Sequence, residues 1–238
     1  MAEIRPQIIS PPTEPPVATT GGDPHYVGFN GERYDFHGAP GRWFIILSDT
    51  DIQITARIVA VPNDPIGTFH GQICLMVGRG NRIIITRALD RYGLVATLDG
   101  KRIKAEGLPL NTPGYHGDVY LDGQGVCINT GKYIVRVDRT SYAEQYPDAD
   151  WSWHPFYGVP HLDLAVEKGP LWVQGRIHSP HGVLGQTANE GAQERLPISD
   201  GMQGEGVIEG TWTDYEVPGP WTTNFKYNRY HTRQAQVA

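Results

Sequence analysis

Cysteine is nearly absent from this chain: Cys74 and Cys127 are the only two among 238 residues. At most one disulfide is available, so a dense cross-linked framework is excluded. Each cysteine lies in an apolar run, Ile73-Cys74-Leu75-Met76-Val77 and Val126-Cys127-Ile128. Two buried thiols fit those runs, and so does one disulfide between adjacent strands; the deciding Cα separation is not readable from sequence. Long apolar stretches are missing as well. No run of 18 apolar residues occurs, so no helical membrane insertion is expected. Met1-Ala2-Glu3-Ile4-Arg5-Pro6 lacks the basic and apolar segments of a secretory signal. Positive charge is scarce: 20 Lys and Arg face 26 Asp and Glu, a net charge of −6, with no basic cluster. That composition excludes a nucleic-acid-binding surface and disfavours an anionic membrane as partner.

Catalytic signatures are also lacking. There is no nucleophile elbow, Walker loop, His-Glu-x-x-His or Cys-x-x-Cys pattern. Gly78 and Gly80 sit in a tight hairpin, without the following helix that a phosphate loop needs. Asp49, Asp51, Asp163 and Glu167 are the carboxylates a glycosidase would draw on, but spacing alone does not pair them. Asp49 and Asp51 read more simply as turn formers. The chain therefore reads as a protein that is not an enzyme. Nine histidines are present, among them His25, His37, His161 and the pair His178-Ser179-Pro180-His181. Zinc would need three or four ligands around one point. Histidines that hydrogen-bond backbone at strand ends are the expected use, and no metal is assigned.

What the chain does have is turns and strands. Gly 29 and Pro 19 supply tight connections. Trp43 to Leu47 reads as a buried strand. Ile52, Ile54, Ala56 and Ile58 alternate with Gln53, Thr55 and Arg57, a half-buried strand. Asp99-Gly100 between Leu94–Leu98 and Lys101–Lys104 is a strong hairpin signal, and further hairpins are expected around 78–81 and 122–125. Leu162 to Val166 and Leu171 to Ile177 complete the series. No window offers a capped amphipathic helix. The pattern predicts an all-β fold, an antiparallel β-sandwich or partly closed barrel of many short strands. Residues 1–21, rich in proline, read as an extended arm. Residues 22–190 read as the β domain. Residues 191–238 read as a polar and aromatic C-terminal extension that packs back on the sheet or onto a neighbour.

One long insertion, 139–160, interrupts the strands and is dense in aromatics. Tyr146, Trp151, Trp153 and Tyr157 are its candidate binding residues. Such side chains pin a loop by local packing, anchor a protein interface, or stack on sugar rings.

The most specific segment is Gly22-Asp23-Pro24-His25-Tyr26-Val27-Gly28-Phe29-Asn30-Gly31-Glu32-Arg33-Tyr34-Asp35-Phe36-His37-Gly38. It reads as two short strands around a turn, with Asn30-Gly31 suited to a type I′ turn. A second segment lies far downstream, His181-Gly182-Val183-Leu184-Gly185-Gln186-Thr187. Together they resemble the von Willebrand factor type D domain, which opens on a Gly-Asp-Pro-His-Tyr motif and carries a Gly-Leu-Cys-Gly-Asn motif downstream. Leu184 stands where the family has Cys and Gln186 where it has Asn. That variant is similar to cysteine-poor relatives such as plant root-cap proteins, as are Phe36-His37-Gly38, Ser48-Asp49-Thr50 and His161-Leu162-Asp163-Leu164. The resemblance covers roughly residues 22–190. It implies a structural, non-enzymatic interaction module of an extracellular or surface assembly, such as a surface layer, filament or virion. Its partners would be copies of itself or neighbouring subunits; a carbohydrate-binding adhesin is the alternative, with glycans as partners. The family often binds calcium after the downstream motif, here Thr187, Ala188, Asn189 and Glu190. Ala188 offers no side-chain oxygen, so calcium is thinly supported and no cofactor is expected.

Overall fold

The computed structural model describes residues 17–22, 24–78, 80–87, 93–112, 115–123, 125–145, 147, 153, 157–172, 179–189 and 202–231. These residues form two antiparallel sheets. The first runs, in spatial order, β10 (Leu108–Thr112), β11 (Tyr115–Asp122), β12 (Gly125–Asn129), β13 (Tyr133–Thr140), β14 (His161–Lys168), β1 (Val17–Gly21), β2 (His25–Val27) and β3 (Arg33–Asp35). The second runs β15 (Glu216–Val217), β4 (Trp43–Asp49), β5 (Ile52–Ala60), β6 (Thr68–Val77), β7 (Asn81–Arg87), β8 (Leu94–Leu98) and β9 (Lys101–Arg102). Each strand order has two ends, so the sheets stay open and stack as a sandwich; the barrel alternative is not adopted.

Period-two alternation decides which faces meet. Ile52, Ile54, Ala56 and Ile58 of β5 point inward, into one core shared with Tyr133, Val135 and Val137 of β13 and Leu162, Leu164 and Val166 of β14 on the other sheet. β6 and β7 lie across from β14, where the sheets meet. Edges are blunted: β9 is two exposed basic residues, β15 is two residues, and Pro109 removes a donor from β10.

Local turn chemistry follows the residues. Asp99 and Gly100 both take positive φ, 49° and 80°, the requirement of a type I′ hairpin between β8 and β9. The β2–β3 turn departs from expectation. Gly28 N–H donates to Glu32 O and Gly31 N–H to Gly28 O, at 2.8 and 3.0 Å. Gly31 alone is left-handed, at φ 86°, so the loop is three residues with glycine at the bulge position rather than a two-residue Asn-Gly turn.

The structure departs from three further expectations. Val17–Gly21 is not arm. It is an interior strand paired with β14 on one side and β2 on the other, with Ala18 and Thr20 buried. Its small and polar residues, Ala18, Thr19, Thr20 and Gly21, hid it, because a strand flanked on both edges needs no large side chains of its own. Leu171 and Trp172 lie in a turn whose N–H groups donate to Gly131 O and Gly169 O, not in a strand; 173–178 fall outside the described residues. Cys127 is only half-buried. Val126 and Ile128 take the inward positions of β12, which leaves the residue between them facing out. Cys74 is buried, and burial pushes its thiol up to about 12. Both thiols are free.

The C-terminal segment 202–231 packs on the sandwich. β15 pairs with β4; Thr55 Oγ1 donates to Pro220 O at 3.1 Å and Gln53 Nε2 to Thr222 O at 2.9 Å. Gln53 and Thr55 are thereby buried on the outer face of β5, which the alternation alone leaves to solvent. Tyr230 Oη donates to Gly78 O at 2.7 Å and fastens the far end.

Removing β1 would strip hydrogen-bond partners from two buried strands. A chain starting at residue 22 is expected to lose its cooperative thermal transition in circular dichroism, whereas one starting at residue 17 keeps it. Equal melting temperatures for both chains would contradict the interior placement of Val17–Gly21.

Candidate functional site

The two signature segments, distant in sequence, meet in the fold. Phe29 N–H donates to Thr187 Oγ1 at 3.0 Å, Asn30 Nδ2 to Thr187 O at 2.6 Å, and Tyr34 Oη to Val183 O at 2.8 Å. Glu32, itself buried, accepts from Asn30 N–H and Asn30 Nδ2 and holds the turn in shape. Gly28 has no alternative, because a Cβ there would strike Glu32 and Thr187. The other side of segment 181–184 pairs with the edge of β4. Ser48 and His181 exchange backbone hydrogen bonds at 2.7 and 2.8 Å; Val183 and Leu184 donate to Ile45 O and Ile46 O. Gly182 takes φ 106°, and a Cβ on it would lie 2.6 Å from Ile46 O. The register shift between Ile45 and Leu47 is the bulge that this segment fits against.

Below it lies an aromatic stack. The His181 ring packs flat on Tyr227, centroids 4.0 Å apart, and on Tyr215 at 5.9 Å. Gly182 N–H donates to His181 Nδ1, so Nε2 carries the hydrogen and points to Glu209 Oε2 at 3.2 Å. Gln186 Nε2 donates to Gly182 O and Tyr215 Oη, and its Oε1 accepts from Glu209 N–H.

A second polar cluster bridges the sheets. Asp49 Oδ2 accepts from Lys132 Nζ at 2.6 Å and from Tyr133 Oη at 2.8 Å, and Oδ1 accepts from Thr50 N–H at 2.6 Å. Burial and the Asp49 charge raise the Tyr133 hydroxyl well above its ordinary range. Nothing in the sequence marks Lys132.

At the seam of β2, β6 and β14, Tyr26 Oη and His70 Nε2 lie 3.0 Å apart. Burial, then the neighbouring His161, push His70 down to about 4. His161 stacks flat on Phe69 at 4.4 Å, with Nδ1 3.2 Å from Val159 O and Nε2 3.4 Å from Asp163 Oδ1. Burial also lowers His161.

Of the aromatic-loop candidates, Trp153 is 75% exposed and Tyr157 37% exposed; Tyr146 and Trp151 lie outside the described residues. The loop's flanks are held. Arg139 pairs with Glu144, which also accepts from Ser141 Oγ, and α1 (Tyr142–Gln145) starts there. Arg87 Nη1 donates to Pro160 O at 2.7 Å, and Val159 packs on Val61 and Phe69.

The remaining candidates are dispersed. His25 pairs with Asp35, and His37 Nδ1 faces Ile66 O; His178 lies outside the described residues. Among the described residues no group of three or more His, Cys, Asp or Glu could hold a metal. Asp49, on β4, is engaged with Lys132. Asp163, on β14 of the opposite sheet, accepts from Gly22 N–H. At the calcium position Thr187 Oγ1 donates to Leu184 O and Asn189 Nδ2 to Pro180 O, while Glu190 lies outside the described residues. Among known proteins, no family model and no curated protein matches the chain.

His70 generates a pH prediction. Unfolded, it titrates near 6.5; folded, near 4, so on acidification the unfolded chain takes up the proton first and stability falls. The expected loss between about pH 7 and about pH 5 is roughly 2 kcal/mol from this group. Urea melts of His70→Gln should show a pH dependence smaller by that amount. An unchanged slope would overturn the assignment.

Proposed function

We propose that this chain is a non-enzymatic structural and interaction module of an extracellular or surface assembly, a cysteine-poor relative of the von Willebrand factor type D domain. The observation that carries the reading is the joining of segments 28–34 and 183–187, the two that bear the resemblance, by three hydrogen bonds. A motif pair whose members touch is a more specific likeness than two isolated matches. The carboxylates and histidines described above serve contacts within the sandwich, which supports scaffold use over catalysis. Surface layer, filament or virion decoration are the settings such a module suits.

The interaction surface in this reading is the 142–157 loop. Trp153 is 75% exposed while both flanks of the loop are fixed to the sandwich, an arrangement that lowers the ordering cost of binding. The favoured partner is a second copy or a neighbouring subunit. Sugar stacking on the same exposed Trp153 is the second reading.

Trp153→Ser with Tyr157→Ser separates them. In the first reading, sedimentation equilibrium shows self-association weakened about tenfold or more, equivalent to about 1.4 kcal/mol, with the melting temperature unchanged. In the second, self-association is unaffected and binding to a glycan array is lost. If the double variant changes neither, the loop is packing only and this surface assignment fails.

A further inference from the structure

Lys132 and Asp49 are an uncommon pair to place between two sheets. Their side chains are 10% and 2% exposed, and Nζ lies 2.6 Å from Oδ2. Aromatic rings close the site: Lys132 Nζ is 5.9 Å from the centre of Tyr133 and 5.8 Å from that of Trp172. Ions withdrawn from water in this way are costly to hold. A lysine amine that gives up its proton in an apolar site is a nucleophile.

We propose that Lys132 and Asp49 join by an amide bond between their own side chains, a covalent cross-link between the sheets. The Asp49 carboxyl is prepared on both oxygens. Thr50 N–H donates to Oδ1 at 2.6 Å, where negative charge develops once nitrogen adds to Cγ. Tyr133 Oη donates to Oδ2 at 2.8 Å, the oxygen that also faces Nζ.

The step balances within the pair. The ammonium passes one proton to Oδ2, leaving a free amine and a carboxylic acid. The amine lone pair attacks Cγ and the C–N bond forms, with the charge on Oδ1 held by Thr50 N–H. The nitrogen, now bearing an extra proton, gives it to the Oδ2 hydroxyl, directly or relayed through the Tyr133 hydroxyl. The Cγ–Oδ2 bond breaks, one water leaves, and the carbonyl re-forms at Oδ1. No oxidant or cofactor is consumed, and Tyr133 need not ionise, in keeping with its raised pKa. The contact is fixed by the fold and the reaction happens once per molecule, so proximity rather than turnover carries it.

The cross-link would tie the end of β4 to the turn before β13. It would close a long loop in a chain whose two thiols are free. Its formation is independent of any partner bound at the aromatic loop.

The experiment is intact-mass spectrometry of the folded, purified full chain after denaturation. The expected mass lies about 18 Da, one water, below that of the sequence, and reductant does not restore it. Protease digestion should yield one branched peptide containing both Asp49 and Lys132. Asp99-Gly100, Asp122-Gly123 and Asp200-Gly201 can also lose water by ring closure, so location matters. A full sequence mass overturns the proposal. So does a water loss that maps to an Asp-Gly step or that persists in Lys132→Met.

Discussion

Segment 181–189 touches both sheets, and the offset of the sandwich depends on it. On one side it hydrogen-bonds along β4 at Ser48, Ile45 and Ile46; on the other it grips the β2–β3 turn through Thr187 and β3 through Val183. Two sheets packed only by apolar faces can slide, because the hydrophobic effect has no direction. Directional bonds to both fix their offset. Gly182 makes this possible, since no side chain fits between its backbone and the bulge at Ile46. Val183 and Leu184 then bury in the core that the bonds hold in register.

The same segment organises the C-terminal chain. His181 forms the floor on which Tyr227 and Tyr215 stack, and Gln186 binds Tyr215 and the Glu209 backbone. Chain 202–231 is thereby led back over β4 and β5. It covers Gln53 and Thr55 and ends at Gly78 through Tyr230. An otherwise wet outer face becomes a second buried layer, which is how β5 and β6 come to be buried on both sides. The Gln53 amide and the Thr55 hydroxyl donate to backbone carbonyls of the covering segment, which offsets the cost of taking them out of water.

Much of the architecture was legible in the residues. Strict alternation in β5 and β13, and Asp99-Gly100 at a turn, are local signals with local causes, and they point to the all-β sandwich. The failures share another cause: they depend on what covers a strand. Val17–Gly21 looks like arm because its neighbours, not its own side chains, bury it. Cys127 looks buried because it sits in an apolar run, whereas the alternation of β12 turns it outward. Gln53 and Thr55 look solvated because their cover lies over 160 residues away. Lys132 carries no signal at all, since only the fold sets a carboxylate beside it. Of the binding candidates, Trp153 and Tyr157 lie at exposed positions, and Tyr146 and Trp151 fall outside the described residues.

The direct test of the bridging role of segment 181–189 is Gly182→Ala, read by urea unfolding of the full chain. A methyl group there meets Ile46 O and must adopt a backbone angle that glycine alone tolerates. If the segment fixes the offset of the sheets, unfolding free energy falls by roughly 2–4 kcal/mol, in one cooperative transition that both sheets share. A loss under about 0.5 kcal/mol, the range of an ordinary surface substitution, would show that the sheets hold their offset without it.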